Sequence, residues 1–319
     1  MTEPTRNEPE AEICVVFGAL RSGTTLFRLM LEGHPRIAAP GESDFLVDHL
    51  RPDGRGGAHY DLDGLAADRI FRAAGIALPT TTGARRAFAE MTTALRAGHE
   101  GPLVLILHRH LGRLLELLPN RAPVLHLVRD PRDVARSAIG IGLAGNSYYG
   151  VRSWIDTERD WDATAPSLGG RPVKELHYER LLERPEATLR EAAALFGVDY
   201  DARFLSYPER STYDLPDTAL TAQWRNKLSA REVGLIESRV GPLLEARGYA
   251  PSGAPRVAPG LATRSLLWLD HTRGKWRWRF RRFGVTDPLI AAIGRRPGMG
   301  WIARGANARI ERRITETLK

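Results

Sequence analysis

Six residues between positions 18 and 25 can do chemistry together. Gly18 and Gly23 bracket a turn that carries Arg21 and Ser22, and Thr24 and Thr25 follow at once. Backbone N–H groups in such a turn converge on an anion, and a helix starting at its end adds the positive end of its dipole. The glycine spacing is that of a Walker loop. Thr24, however, stands where that motif carries the Lys that reaches the outer phosphates of a nucleoside triphosphate. The chemistry expected is therefore the binding of an anion less charged than a triphosphate, which counts against ATP or GTP hydrolysis.

Further along, Arg129 is followed by Asp130, Pro131 and, eight positions on from Arg129, Ser137. A planar guanidinium meets phosphate oxygens in pairs, while Asp130 and Pro131 suit the cap and first position of a helix. His108-Arg109-His110 offers a base, a proton donor or a fixed charge, or else ordinary surface residues. Glu42 follows Pro40-Gly41 and reads either as a carboxylate facing a crevice or as surface charge beside a helix capped by Ser43 or Asp44. No His/Cys/Asp cluster suggests a metal. The single cysteine, Cys14, excludes an internal disulfide framework and reads as a small buried hydrophobe.

These groups need elements to hold them. The apolar run 13–17 reads as a buried strand entering the loop, and Leu26, Phe27, Met30 and Leu31 recur at helical spacing after it. Runs at 103–107 and 124–128 lead into His108 and Arg129, and 173–176 leads into His177-Tyr178-Glu179. Residues 37–39 read as a short strand before Glu42. Helices are expected over 65–73, 83–97, 111–118, 147–165, 182–196 and 229–246, the last capped by Ser229. Trp154 and Trp161 lie one heptad apart and read as core. Residues 51–63 and 206–225 read as loops.

The stretch Arg-Ser-Gly-Thr-Thr-Leu after a strand resembles the 5′-phosphosulfate loop of sulfotransferases that use 3′-phosphoadenosine-5′-phosphosulfate (PAPS). The strand-Arg129-helix-Ser137 block is similar to that family's second signature, and the resemblance covers roughly residues 12–250. It implies an α/β fold: a three-layer, parallel sheet flanked by helices, with a P-loop-like nucleotide-binding core and its ligand at the C-terminal strand ends. It implies that Arg21 and the N–H groups of Ser22, Gly23, Thr24, Thr25 and Leu26 bind the phosphosulfate, and that Arg129 and Ser137 bind the 3′-phosphate. Tyr178 would lie near the adenosine. Trp224 and Arg225 would belong to a loop folding over the nucleotide, with Gln223 where a Lys or Arg is common. Glu42 matches the place of a catalytic base, with His108 the alternative. The Lys usual at the end of the second core strand is missing, replaced by the 108–110 triplet. The reaction implied is in-line transfer of a sulfuryl group to an acceptor hydroxyl (sugar, lipid, phenol or tyrosine), releasing adenosine 3′,5′-bisphosphate without a metal. A catalytically inactive adaptor of the same fold and a P-loop kinase are the rival readings.

The chain has 319 residues and a formal charge of +8. That length suits one large core or a main domain with an appendage. Fourteen Lys/Arg against four Asp/Glu fall in 264–319, so the body up to 263 carries a net −2 and the basic character belongs to the tail. Residues 1–11 read as disordered, without the basic and apolar regions of a secretory signal. Residues 12–250 read as the sulfotransferase domain and 251–263 as a linker. Residues 264–319 read as a basic extension that packs on the main domain or on a second subunit, with Arg stems covering the Trp rings, or whose Trp-Arg alternation meets a membrane surface or an acidic glycan. Nucleic acid is not expected, since no recognition fold is visible, and the expected location is the cytoplasm, with the membrane surface as a peripheral site.

Overall fold

The computed structural model describes residues 13–54, 56–96, 98–256, 258–294 and 300–318; the segment read as a disordered N-terminus lies outside them. The strands among the described residues are β1 (Ile13–Phe17), β2 (Leu50–Pro52), β3 (Ala58–Tyr60), β4 (Leu103–Leu107), β5 (Val124–Val128) and β6 (Val173–His177). The chain divides into two units, Met1–Arg129 with Ser153–Thr221, and Asp130–Arg152 with Ala222–Lys319.

The first unit is built on a parallel sheet in the order β4-β1-β5-β6. Ile13 pairs with Leu103, Val15 with Val124, and Val124 with Val173. β1, β4 and β5 are apolar at nearly every position because both faces of the sheet are covered. Val15, Phe17, Leu103, Leu105 and Leu107 pack on one side against the helix Ala84–Arg96 and Trp161. Cys14, Val16, Val104, Ile106 and Leu125 pack on the other against the helices Thr24–Leu31 and Pro185–Leu195. Cys14, Phe17 and Phe27 are fully buried. Each large apolar side chain buried this way contributes about 1.5–3 kcal/mol.

Several elements differ from the sequence reading for identifiable reasons. Residues 51–63, read as loop, contain the antiparallel ribbon β2-β3, in which Leu50 faces Tyr60 and both side chains are buried. The Tyr60 hydroxyl donates to Leu46 O at 2.7 Å. The run 37–43 is not a strand; it touches β4 through two isolated parallel bridges, at Ala38 and Glu42. The helix expected over 182–196 is two, Tyr178–Glu183 and Pro185–Leu195, because Pro185 cannot donate to the preceding turn and opens a new helix. The one expected over 229–246 stops at Val240, and Leu243–Ala246 follows Gly241-Pro242.

The second unit is helical. Arg132 ties it together: it forks onto Asp130, pairs with Glu237 at 2.9 Å and donates to Ala250 O. Ser229 and Glu232 form a reciprocal capping box at the start of the helix Ala230–Val240. The basic C-terminal residues fold into the helices Leu261–Phe283, Thr286–Ile293 and Gly300–Leu318.

Candidate active site

The loop after β1 is shaped by its backbone. Arg21 sits at φ 75° and Gly23 at φ 92°, both left-handed. A Cβ on Gly23 would fall 2.1 Å from a ring carbon of Tyr178, so the position requires glycine on two counts. Gly23 caps the helix Thr24–Leu31 without a side chain, which leaves the N–H groups of the first turn to any ligand. Ser22 is fully buried and its Oγ has no hydrogen-bond partner among the described residues.

Arg129, at the end of β5, closes over this loop. Its guanidinium donates to Arg21 O at 3.1 Å and to Leu220 O at 3.2 Å, and it lies 4.2 Å from the centroid of the Tyr178 ring. Its Nε is buried without a partner among the described residues. Trp154 Nε1 donates to Arg129 O at 2.9 Å and fixes the strand end from below. The sequence-derived residues Arg21, Ser22, Gly23, Arg129 and Tyr178 are thus brought together.

At the end of β4 the 108–110 triplet separates into three roles. His108 is buried, and its Nδ1 lies 2.6 Å from Asp44 Oδ2, while its backbone N–H donates to Asp44 Oδ1 at 2.9 Å. Its Nε2 lies 3.3 Å from Thr24 Oγ1 at the head of the loop helix. Thr157 Oγ1 donates to His108 O at 2.7 Å. Arg109 points outward and forks onto Asp48. His110 takes a left-handed backbone at φ 58° and starts the helix Leu111–Leu115.

Asp44 was legible in the sequence only as a helix cap. It does stand at the cap of Phe45–Asp48, but it makes no capping bond, because both carboxylate oxygens go to His108. Burial pushes the Asp44 carboxyl up; the hydrogen bonds from the His108 ring and N–H, with the nearby charges, outweigh it and hold the group below the usual carboxylate range. A carboxylate on Nδ1 keeps a proton there, so Nε2 accepts from the Thr24 hydroxyl when the ring is neutral and donates to it when charged.

Glu42 sits half-buried opposite Ile106, near the C-terminal end of β4, with Ser43 N donating to Ile106 O at 2.8 Å. No described residue pairs with its carboxylate. A cleft of about 430 Å³ is lined by Leu20 of the loop, His108, His110, Ser153, Asp156 and Thr157, among others.

The remaining sequence-derived residues belong to the second unit. Ser137 is half-buried on the helix Pro131–Gly140. Trp224 is buried; its Nε1 donates to Asp130 Oδ2 at 3.0 Å and its N–H to Asp133 Oδ1 at 2.8 Å. The guanidinium carbons of Arg132 and Arg225 lie 3.9 and 4.6 Å from its ring centroids. Arg225 itself is exposed, and Gln223 accepts a hydrogen bond from Arg136.

A parallel sheet flanked by helices, with polar side chains gathered where the strands end, defines an α/β protein. Within that class the chain belongs to the sulfotransferase family, whose model matches residues 14–202. It is similar to the nodulation protein NoeE of Sinorhizobium fredii (strain NBRC 101917 / NGR234), with 24% identity over 311 residues, covering 85% of this chain and 74% of that protein. It is also similar to a putative protein-tyrosine sulfotransferase of Caenorhabditis briggsae, with 25% identity over 229 residues, covering 69% of this chain and 79% of that one. Among solved structures, the sulfotransferase domain of the Synechococcus PCC 7002 olefin synthase has the same fold. It shows 21% identity and a TM-score of 0.53, and the match covers 74% of this chain and 97% of that domain.

Proposed function

We propose that the chain is a PAPS-dependent sulfotransferase acting on a hydroxyl acceptor. The observation that carries this reading is the loop itself. Its first-turn N–H groups are uncapped, Ser22 Oγ and Arg129 Nε are buried without partners among the described residues, and Gly23 admits no side chain. Buried polar atoms are normally satisfied, so a cradle of orphaned donors fits a phosphosulfate. PAPS, when bound, supplies an activated sulfuryl group whose departure leaves adenosine 3′,5′-bisphosphate.

The chain's own residues then divide the work. The Ser22 N–H already donates to Ala19 O at 3.0 Å, so Arg21 and the N–H groups from Gly23 to Leu26 hold the phosphosulfate and offset negative charge where it grows. Arg129 and Ser137 hold the 3′-phosphate, Tyr178 borders the adenosine, and Trp224 with Arg225 covers it. Glu42 takes the proton of the acceptor hydroxyl. His108, oriented by Asp44, presents Nε2 to Thr24 Oγ1, on the donor's side of the site. It stands at the strand end where the resemblance expects a Lys. The cleft beside Leu20 and His108 admits the acceptor.

The test is a calorimetric titration with adenosine 3′,5′-bisphosphate, with ATP and 5′-AMP as controls. Binding that depends on the 3′-phosphate is expected; a preference for ATP with magnesium would sink the reading. In a transfer assay with labelled PAPS, Glu42→Gln is expected to keep nucleotide affinity and to lower transfer roughly 10²–10⁴-fold. Retained turnover would move the base to another group.

A further inference from the structure

The helix Leu261–Phe283 presents two unlike faces. One is fastened to its own unit: Asn146 Nδ2 donates to Leu267 O at 2.8 Å, Gly145 N to His271 Nδ1 at 3.2 Å, and Trp278 Nε1 to Gly140 O at 2.9 Å. Gly274 lies so close to Gly145 that a Cβ there would meet the Gly145 carbonyl oxygen at 2.5 Å. Positions 267, 271, 274 and 278 recur every three or four residues and define that face.

Off that face the helix carries large apolar groups in water. Leu266 is 66% exposed, Trp268 55% and Leu269 42%. Arg264, Arg273 and Arg277 are exposed among them. Downstream, Trp301 is 66% exposed, and residues 264–319 carry a net +10. A soluble polyanion would account for the arginines and leave the leucines in water. A second protein surface would bury the leucines but would have to meet a strongly net-positive face, in which Asp270 is the exposed acid among the arginines. An anionic lipid surface satisfies both, since apolar side chains enter the acyl boundary while arginine stems lie along it with their heads at the phosphates. No helix among the described residues is long and apolar enough to cross a membrane, so the geometry suits lying on a bilayer rather than spanning it.

We infer that the helix Leu261–Phe283 is a peripheral anchor for an anionic phospholipid surface. Leu266 and Leu269 enter the acyl boundary, and Arg273 and Arg277, on the same side of the helix, meet lipid phosphates. The inference rests on residues outside the candidate active site and stands whether or not the donor assignment does.

The experiment is co-sedimentation of the full chain with vesicles of phosphatidylcholine alone and of phosphatidylcholine mixed with phosphatidylglycerol. Partition into the mixed vesicles is expected to exceed that into the neutral ones by about tenfold or more, and to fall as salt is raised. Replacing Leu266 and Leu269 together by Ser is expected to lower it about tenfold or more, with the melting temperature unchanged because both sites are exposed. Arg273→Gln with Arg277→Gln serves as a second variant and should weaken binding to the anionic vesicles alone. Equal partition into both vesicle types, no binding to either, or unchanged binding by the serine variant would overturn the anchor. So would a dimer in sedimentation velocity that the serine variant abolishes while vesicles stay unbound. Tight binding to heparin that the serine variant retains, without vesicle binding, would assign the face to a soluble polyanion instead.

Discussion

Both carboxylate oxygens of Asp44 go to one residue, and that residue reaches Thr24 at the end of the loop after β1. Replacing Asp44 by Asn keeps the shape but presents an amide to Nδ1, which loosens the hold that points Nε2 at Thr24. Turnover is expected to fall roughly 10²–10⁴-fold while affinity for adenosine 3′,5′-bisphosphate stays within about threefold. Steady-state kinetics beside calorimetry separates this from a merely structural loss, which would lower both. Arg129 makes the opposite prediction. Arg129→Ala removes charge-assisted bonds worth about 1.5–3 kcal/mol, so nucleotide affinity should drop roughly 10- to 150-fold by calorimetry; unchanged affinity would free the residue from the site. At this scale the loop was legible because its chemistry is local: Gly18 through Thr25 are consecutive. The Asp44–His108 pair was not, because its members lie 64 positions apart and meet only when residues 42–44 run along the edge of β4. Nor could composition rank His108 above His110. That ranking comes from the strand end turning one ring inward and sending the chain left-handed two residues later.

At the scale of elements, the joint between β1 and its helix is the least tolerant. Gly23→Ala would force a left-handed backbone, at about 1–2 kcal/mol, and overpack the Tyr178 ring, at about 1–3 kcal/mol. The variant should melt several degrees lower and lose nucleotide affinity; a wild-type melting curve would mean that Tyr178 swings clear. Pairing Gly23→Ala with Tyr178→Ala separates the two costs, since only the packing cost disappears. Continuous apolar runs made β1, β4 and β5 readable, as covered parallel strands should be, whereas β6 buries only Leu176. The ribbon β2-β3 escaped because its strands are three residues each, too short for alternation to show, and only Leu50 and Tyr60 turn inward. Helix breaks at Pro185 and at Gly241-Pro242 were written in the sequence, but helical periodicity ran through them and masked the stops.

At the scale of the whole molecule, the first unit carries a buried titrating group in its core. His126 on β5 is fully buried, with Nε2 3.1 Å from Glu158 and Nδ1 3.2 Å from Glu175, and it stacks on Trp161 at 4.0 Å. Burial lowers its pKa, but the two carboxylates outweigh that and raise it; Glu175, shared with His177, is pulled well below the usual carboxylate range. A raised histidine contributes stability that is complete below about 6.5 and is lost as pH rises through its folded value. A lowered carboxylate contributes above about 4.3 and is lost as pH falls through its own. The cluster therefore stabilises most between those limits. Melting temperature should decline from mildly acidic towards alkaline pH, and His126→Gln should flatten that slope in differential scanning calorimetry. A slope that survives the substitution would place its origin elsewhere.

The second unit is assembled from two stretches of chain that are far apart in order of synthesis. Trp224 reaches Asp133 across 91 positions, Arg132 reaches Glu237 across 105, and Trp278 reaches Gly140 across 138. At roughly 5–20 residues per second, the helix Pro131–Gly140 leaves the ribosome roughly 5 to 30 s before its partners exist. During that interval Arg132 lacks Glu237 and Ala250, and the helix lacks Trp224 and Trp278. The nascent chain is then a substrate for chaperones in a way the finished protein is not. A ribosome stalled before residue 222 should hold a first unit able to fold beside a protease-sensitive 130–152 segment, and that sensitivity should vanish only once the residues up to 283 have emerged.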